Sequence, residues 1–259
     1  MERGRQDVFL DLGPGRRVHC VVAGKGPDVV YFPANGGSVE DMRLVIGTIA
    51  ERYRFVGIDP PGREPTEWPD EPFSFFEDLP PVIDRCLAEL DVGPHAALGH
   101  SMGGMYALQH ANRHRGLVKG LVLFEGFVTL PIHYATAAPD GFRPFRMTPE
   151  EGEAYRRRYA ANRRWEDTRP NFKATFWPSQ QAHDARPWVA ELGIPILVFI
   201  GENGQKLPTD PAGWRRQLGM DRVQHLSVEV IPNAGHWMML DDPERVGKAL
   251  MCFLENLFR

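Results

Sequence analysis

Gly99-His100-Ser101-Met102-Gly103-Gly104 decides how this chain is read. The apolar run Ala96 to Leu98 precedes it and the helix-compatible Met105 to His114 follows, so the local order is strand, sharp turn, helix. Glycines two residues before and two after Ser101 allow a strained turn, because side chains there would crowd the backbone that crosses at that point. The hydroxyl is then held out at the carboxyl end of the strand. Free N–H groups at the start of the following helix point to the same place and favour developing negative charge. Ser101 therefore reads as a nucleophile on an elbow. The bland alternative, in a chain with 26 glycines, is an ordinary strand-to-helix turn.

Outward from the elbow, short apolar runs alternate with helical stripes. Val8 to Leu12 and Arg17 to Val22 flank Gly13-Pro14-Gly15 as an edge hairpin. Strands are predicted at Asp28 to Phe32, Arg54 to Ile58, Gly120 to Phe124, Pro195 to Ile200 and Ser227 to Pro232. Helices are predicted over 40–52, from Val82 beyond the Pro80-Pro81 pair, after the elbow, and over 243–257. From Val128 to about Ala190 the alternation stops, and the chain becomes aromatic, arginine-rich and helical, with Thr148-Pro149-Glu150-Glu151 as a helix start. The expected class is α/β: a mostly parallel central sheet with helices on both faces and an inserted helical cap. Residues 1–127 and 191–259 form the expected core, and 128–190 the cap.

Composition narrows the partners. With 259 residues, 42% of them hydrophobic, the chain can bury one large core. The formal charge of −4, without long runs of one sign, implies neither nucleic acid nor an anionic membrane, and leaves a small molecule as the partner. Cys20, Cys86 and Cys252 are odd in number and far apart, which argues against both a disulfide framework and a metal site. No cofactor or metal is implied. A polar amino terminus and the lack of a long apolar run give the expectation of a soluble, cytoplasmic protein.

A serine hydroxyl needs a base. Of nine histidines, His236 in Asn233-Ala234-Gly235-His236-Trp237 stands out, because it follows the last strand and so falls at the same sheet edge as Ser101. His100 reads as an orienting or packing residue. The third member, a carboxylate to hold the histidine, has two settings. The loop after Pro195 to Ile200 reads Gly201-Glu202-Asn203-Gly204, with glycine where an aspartate is commonly found. Glu125, at the tip of the preceding buried strand, is the first candidate; Glu202 and Asp210 remain open. An oxyanion hole is expected from the N–H of Met102 and from Asn35 or Gly36 in the loop after Asp28 to Phe32, with the Asn35 side chain as another donor. Phe142, Phe145, Tyr155, Tyr159, Trp165, Phe172, Phe176 and Trp177 offer an aromatic roof, and Trp237 adjoins His236. Of these, Trp165, Phe172, Phe176, Trp177 and Trp237 are taken as substrate-binding candidates, with packing as the alternative. The arginines at 156–158, 163 and 164 read mostly as a solvated helix face.

Over nearly its whole length the chain resembles the α/β-hydrolase superfamily, on Gly99 to Gly103, Gly235-His236 and Asp59-Pro60-Pro61-Gly62. Within it, Glu125, the Gly201 to Gly204 segment, Asn35 and the cap stretches Met147 to Tyr155 and Arg169 to Pro178 are similar to the haloalkane dehalogenase and coelenterazine luciferase branch. That branch uses an aspartate followed by tryptophan, where this chain has Ser101-Met102. A serine would form a stable ether with an alkyl halide, so the expected chemistry is acyl transfer: hydrolysis of a carboxylic ester or lactone of a hydrophobic or aromatic molecule. A lyase, acyltransferase or cyclase using the same triad is the alternative, and a ligand-binding protein with a vestigial triad is a third reading.

Overall fold

Residues 4–132, 137–138, 148–206 and 211–259 are described by a computed structural model. Eight strands form one sheet: β1 (Gln6–Gly13), β2 (Arg16–Ala23), β3 (Asp28–Phe32), β4 (Arg54–Asp59), β5 (His95–His100), β6 (Val118–Phe124), β7 (Ile196–Gly201) and β8 (Leu226–Ile231). Their order is β1-β2-β4-β3-β5-β6-β7-β8, in which β2 runs antiparallel to both neighbours and every other pair is parallel. Every residue of β3, β5 and β7 is buried, as continuous apolar runs require when helices cover both faces.

The period-2 geometry of the strands divides the core in two. Val30, Ala97, Leu121, Leu123 and Val198 face α2 (Leu79–Glu89) and α3 (Met102–Arg113). Their neighbours Val29, Tyr31, Ala96, Val122 and Phe199 face α1 (Arg43–Ile49) and the last helix, Pro243–Leu257.

Three helix boundaries differ from the sequence expectation. The helix expected over 40–52 begins as a 3-10 turn, Val39–Met42, because Ser38 and Asp41 cap each other's backbone and Asp59 Oδ1 accepts the Val39 N–H at 2.8 Å. The α2 helix includes Pro80 and Pro81, which occupy its first turn, where a missing N–H loses no bond. The α3 helix starts immediately after the elbow, at Met102.

Between β6 and β7 lie α4 (Pro149–Asp167) and α5 (Pro170–Gln180). Thr148 caps α4 as expected, its hydroxyl accepting the Glu151 N–H at 3.3 Å. Polar contacts join both helices to the loops that leave β3 and β4. Asn162 donates to the carbonyls of Gly36 and Gly37 at 3.0 and 3.1 Å and accepts the Glu64 N–H at 2.8 Å. The fully buried Arg63 meets Glu166 at 3.3 Å, and Arg158 meets Asp41 at 3.5 Å. Phe142, Phe145, Met147 and Asp210 lie outside the described residues.

Candidate active site

Ser101 sits between β5 and α3 with φ 53° and ψ −113°, a conformation that L residues seldom adopt. The flanking glycines are a steric requirement. A Cβ on Gly99 would collide with the Gly103 backbone, and one on Gly103 with the Phe32 and Pro33 backbone. The turn is held from the sheet side by the Ser101 N–H, which donates to the Phe124 carbonyl at 2.9 Å.

His236 lies between β8 and a short helix, α6 (Met238–Asp241). Asp241 Oδ2 accepts the Gly235 N–H at 2.9 Å, and His100 Nε2 donates to the His236 carbonyl at 2.8 Å, so His100 orients the loop, as its position beside the serine suggested. The His236 ring stands 4.6 Å from that of His100.

Its Nδ1 and Glu125 Oε2 are 2.5 Å apart, and both side chains are almost wholly buried. Glu125 ends β6 with a positive φ of 44°, which turns its side chain along the carboxyl edge of the sheet. The carboxylate also accepts the Gly201 N–H at 3.0 Å on Oε1 and Gln205 Nε2 at 3.3 Å on Oε2. Glu202, by contrast, is exposed and accepts the Asn233 N–H at 2.8 Å. Burial pushes the His236 imidazole pKa down, to about 3, so the ring rests neutral with Nδ1 donating to Glu125.

Ser101 and His236 open into one cavity of about 420 Å³. Asn35, Met102 and Met105 line it from below, Phe127 and Leu130 from the segment after β6, Trp237 from the loop after β8, and Tyr155, Tyr159, Trp177 and Gln180 from α4 and α5. Asn35 is held by Arg63, whose Nη2 donates to Asn35 Oδ1 at 2.8 Å. Gly36 does not line the cavity among the described residues. It lies beneath Tyr159, close enough that a Cβ would strike the ring.

Two of the five substrate-binding candidates, Trp177 and Trp237, reach this cavity, and three do not. Trp165, Phe172 and Phe176 are buried in a stack with Phe73; the Phe172 ring lies 5.0 Å from Trp165, 4.9 Å from Phe176 and 5.3 Å from Phe73. Different faces of α4 and of α5 divide these roles, and an aromatic count does not reveal which face meets the core. Sequence reasoning missed Met105, Phe127, Leu130 and Gln180 as lining residues. Met105, four residues after Ser101 on α3, was findable from helix period alone.

The chain belongs to the alpha/beta hydrolase family, whose model matches residues 29–249. It is 25% identical over 280 residues to 2-hydroxy-6-oxo-6-(2'-aminophenyl)hexa-2,4-dienoic acid hydrolase of Metapseudomonas resinovorans, covering 96% of this chain and 90% of that protein. It is 25% identical over 269 residues to haloalkane dehalogenase 2 of Mycobacterium tuberculosis, covering 94% and 93%. Among solved structures, a haloalkane dehalogenase of Bradyrhizobium elkanii superposes with a TM-score of 0.77 at 18% identity, over 98% of each chain. The protein is a hydrolase of this fold with a dehalogenase-like branch resemblance. No helix among the described residues is long and apolar enough to cross a membrane.

Proposed function

We propose that this hydrolase cleaves a carboxylic ester or lactone of a hydrophobic or aromatic small molecule through an acyl-enzyme on Ser101. The observation that carries the reading is the 2.5 Å contact between His236 Nδ1 and Glu125 Oε2, at a histidine that shares its cavity with a serine on a strained elbow. With Nδ1 committed to Glu125, Nε2 is the atom that takes the Ser101 proton as the hydroxyl attacks the substrate carbonyl. Glu125 stabilises the imidazolium formed in that step. The oxyanion is met by the Met102 N–H at the start of α3 and by Asn35 in the β3 loop, which lines the cavity where Gly36 does not.

As the tetrahedral intermediate collapses, His236 returns the proton to the leaving alcohol oxygen. Water, deprotonated by the same ring, then attacks the acyl-enzyme and releases the acid. No bound metal or cofactor takes part in this scheme. We assign residues 128–190 as the cap over residues 1–127 and 191–259. The aromatic walls from Tyr155, Tyr159 and Trp177 support an apolar or aromatic acyl or alcohol group.

The test is a fluorophosphonate label together with turnover of short-chain aryl esters. Labelling with turnover, both lost in Ser101→Ala, supports the reading. Labelling without ester turnover points to a lyase, acyltransferase or cyclase, and absence of labelling to a binding protein. The full-length likeness to a hydrolase of an aminophenyl oxo-dienoic acid makes aryl oxo acids the second substrate class to assay.

A further inference from the structure

Far from Ser101, three side chains with metal-binding chemistry, one buried and two partly exposed, converge between α2 and the C-terminal end of α3. One carboxylate oxygen of Asp84 and one nitrogen each of His110 and His114 lie within 4.8 Å of one another. Helix period explains the pair: residues four apart on α3 share a face, and α2 brings Asp84 alongside. Along the axis, His110 and His114 stand about 14 and 20 Å from the elbow, at a rise of about 1.5 Å per residue.

The hydrogen bonds around His110 assign its tautomer. The Gly93 carbonyl only accepts, so His95 Nδ1, 2.9 Å away, carries a proton. His95 is wholly buried with no carboxylate among its hydrogen-bond partners, so the ring rests neutral and its Nε2 holds a lone pair. His110 Nε2, 3.1 Å from His95 Nε2, must therefore donate to it. His110 is as deeply buried, so its ring also rests neutral and its Nδ1 holds the remaining lone pair. That Nδ1 has no hydrogen-bond partner, on a residue only 1% exposed. A buried acceptor without a donor is costly, and a cation is one group that satisfies it.

We propose that Asp84, His110 and His114 bind a divalent transition-metal ion, Zn²⁺ being the probe of choice, which clips α2 to α3. Two imidazoles and one carboxylate suit zinc rather than magnesium or calcium, which take oxygen ligands. His114 Nε2 now lies 2.9 Å from Asp84 Oδ1, and the ion would replace the proton shared there, which moves to Nδ1 of the ring or to water. The Arg113 guanidinium is on the other carboxylate oxygen, 3.7 Å from Oδ2, and leaves Oδ1 for the metal. His114 and Asp84 are partly exposed, at 28% and 34% of their side chains, so the ion has a path in and water can complete the coordination. The His95-to-Gly93 relay supplies the outer support that zinc-binding histidines usually have.

The experiment is calorimetric titration of the chelator-treated full chain with ZnCl₂, with MgCl₂ as control and far-UV spectra to verify folding. One saturable equivalent of zinc is expected, with none of magnesium, and the urea midpoint should rise when zinc is added. His114→Ala and Asp84→Ala change partly exposed side chains and should each lose that equivalent and the rise in midpoint. His95→Phe should weaken binding about 10- to 100-fold, as loss of an outer-shell partner does. An absence of saturable zinc binding overturns the proposal. So does binding that survives both alanine changes, as it would if zinc sat at His236 and Glu125.

Discussion

The carboxylate of Glu125 fills the space that a side chain at Gly204 would need. A Cβ on Gly204 would stand 3.0 Å from Glu125 Cδ and 3.1 Å from Oε2, and closer still to Oε1. A carboxylate can therefore reach His236 from the tip of β6 or from the loop after β7, and each excludes the other. On the proposed mechanism, Glu125→Gln lowers turnover roughly 10³- to 10⁴-fold, because an amide favours the wrong tautomer and cannot stabilise imidazolium. Glu202→Gln, at an exposed side chain, is mild. Gly204→Asp alone is damaging, and combining it with Glu125→Gly, which also relieves a positive φ, recovers activity above either single change. Steady-state turnover of one aryl ester across the five variants, the Glu125→Gly single change included, checks this, and a double variant no better than its parents refutes the exchange.

Strain at the elbow separates stability from activity. Ser101 is held at φ 53°, where a non-glycine residue costs on the order of 1–3 kcal/mol. Ser101→Gly should therefore have a higher urea midpoint than Ser101→Ala, with both inactive. Equal midpoints would show that the turn stores no strain at this residue.

The aromatic residues of α5 divide by function. Phe172 is fully buried, so Phe172→Ala should destabilise by about 3–5 kcal/mol while leaving KM near the parent value in folded protein. Trp177 lines the cavity, so Trp177→Ala should raise KM for an aromatic ester with a smaller change in midpoint. Paired denaturation and kinetic measurements check the assignment, and the reverse pattern would move the pocket.

Buried histidines set the pH behaviour. Burial lowers the pKa of His236 to about 3 and of His183 to about 4. The unfolded chain binds those protons at about 6.5 whereas the folded chain does not, so their contribution is complete above 6.5 and is lost progressively as pH falls. His19 works the other way: burial opposes its charge, but Asp59 and Asp7 outweigh it and raise its pKa. Burial lowers the pKa of His95 and His110 as well, so with four histidines against one the urea midpoint should fall as pH drops from neutral into the acid range. A base that rests neutral also places the acid limb of kcat/KM below the ordinary histidine value. A limb at or above 6.5 would show that substrate-free His236 is not desolvated.

Much of this molecule is local in origin. Gly99, Ser101 and Gly103 dictate the elbow because backbone collisions involve only near neighbours and the adjoining strand. The parallel sheet follows from apolar runs too short for helices, and His236 follows from its place after the last strand. The contact of Glu125 with His236 was legible as well, because Gly204 leaves the other candidate position without a side chain. The tertiary structure alone decided the rest. It put Trp165, Phe172 and Phe176 into the core and Tyr155, Tyr159 and Trp177 over Ser101, since helices rich in aromatics on several faces do not declare which face docks. It buried Arg63 in a prolyl loop against Glu166, and it set Asp84 beside His110 and His114. Those contacts join residues 26 to 103 positions apart, and chain-local spacing carries no information about which of many charged and aromatic side chains will meet across such a gap.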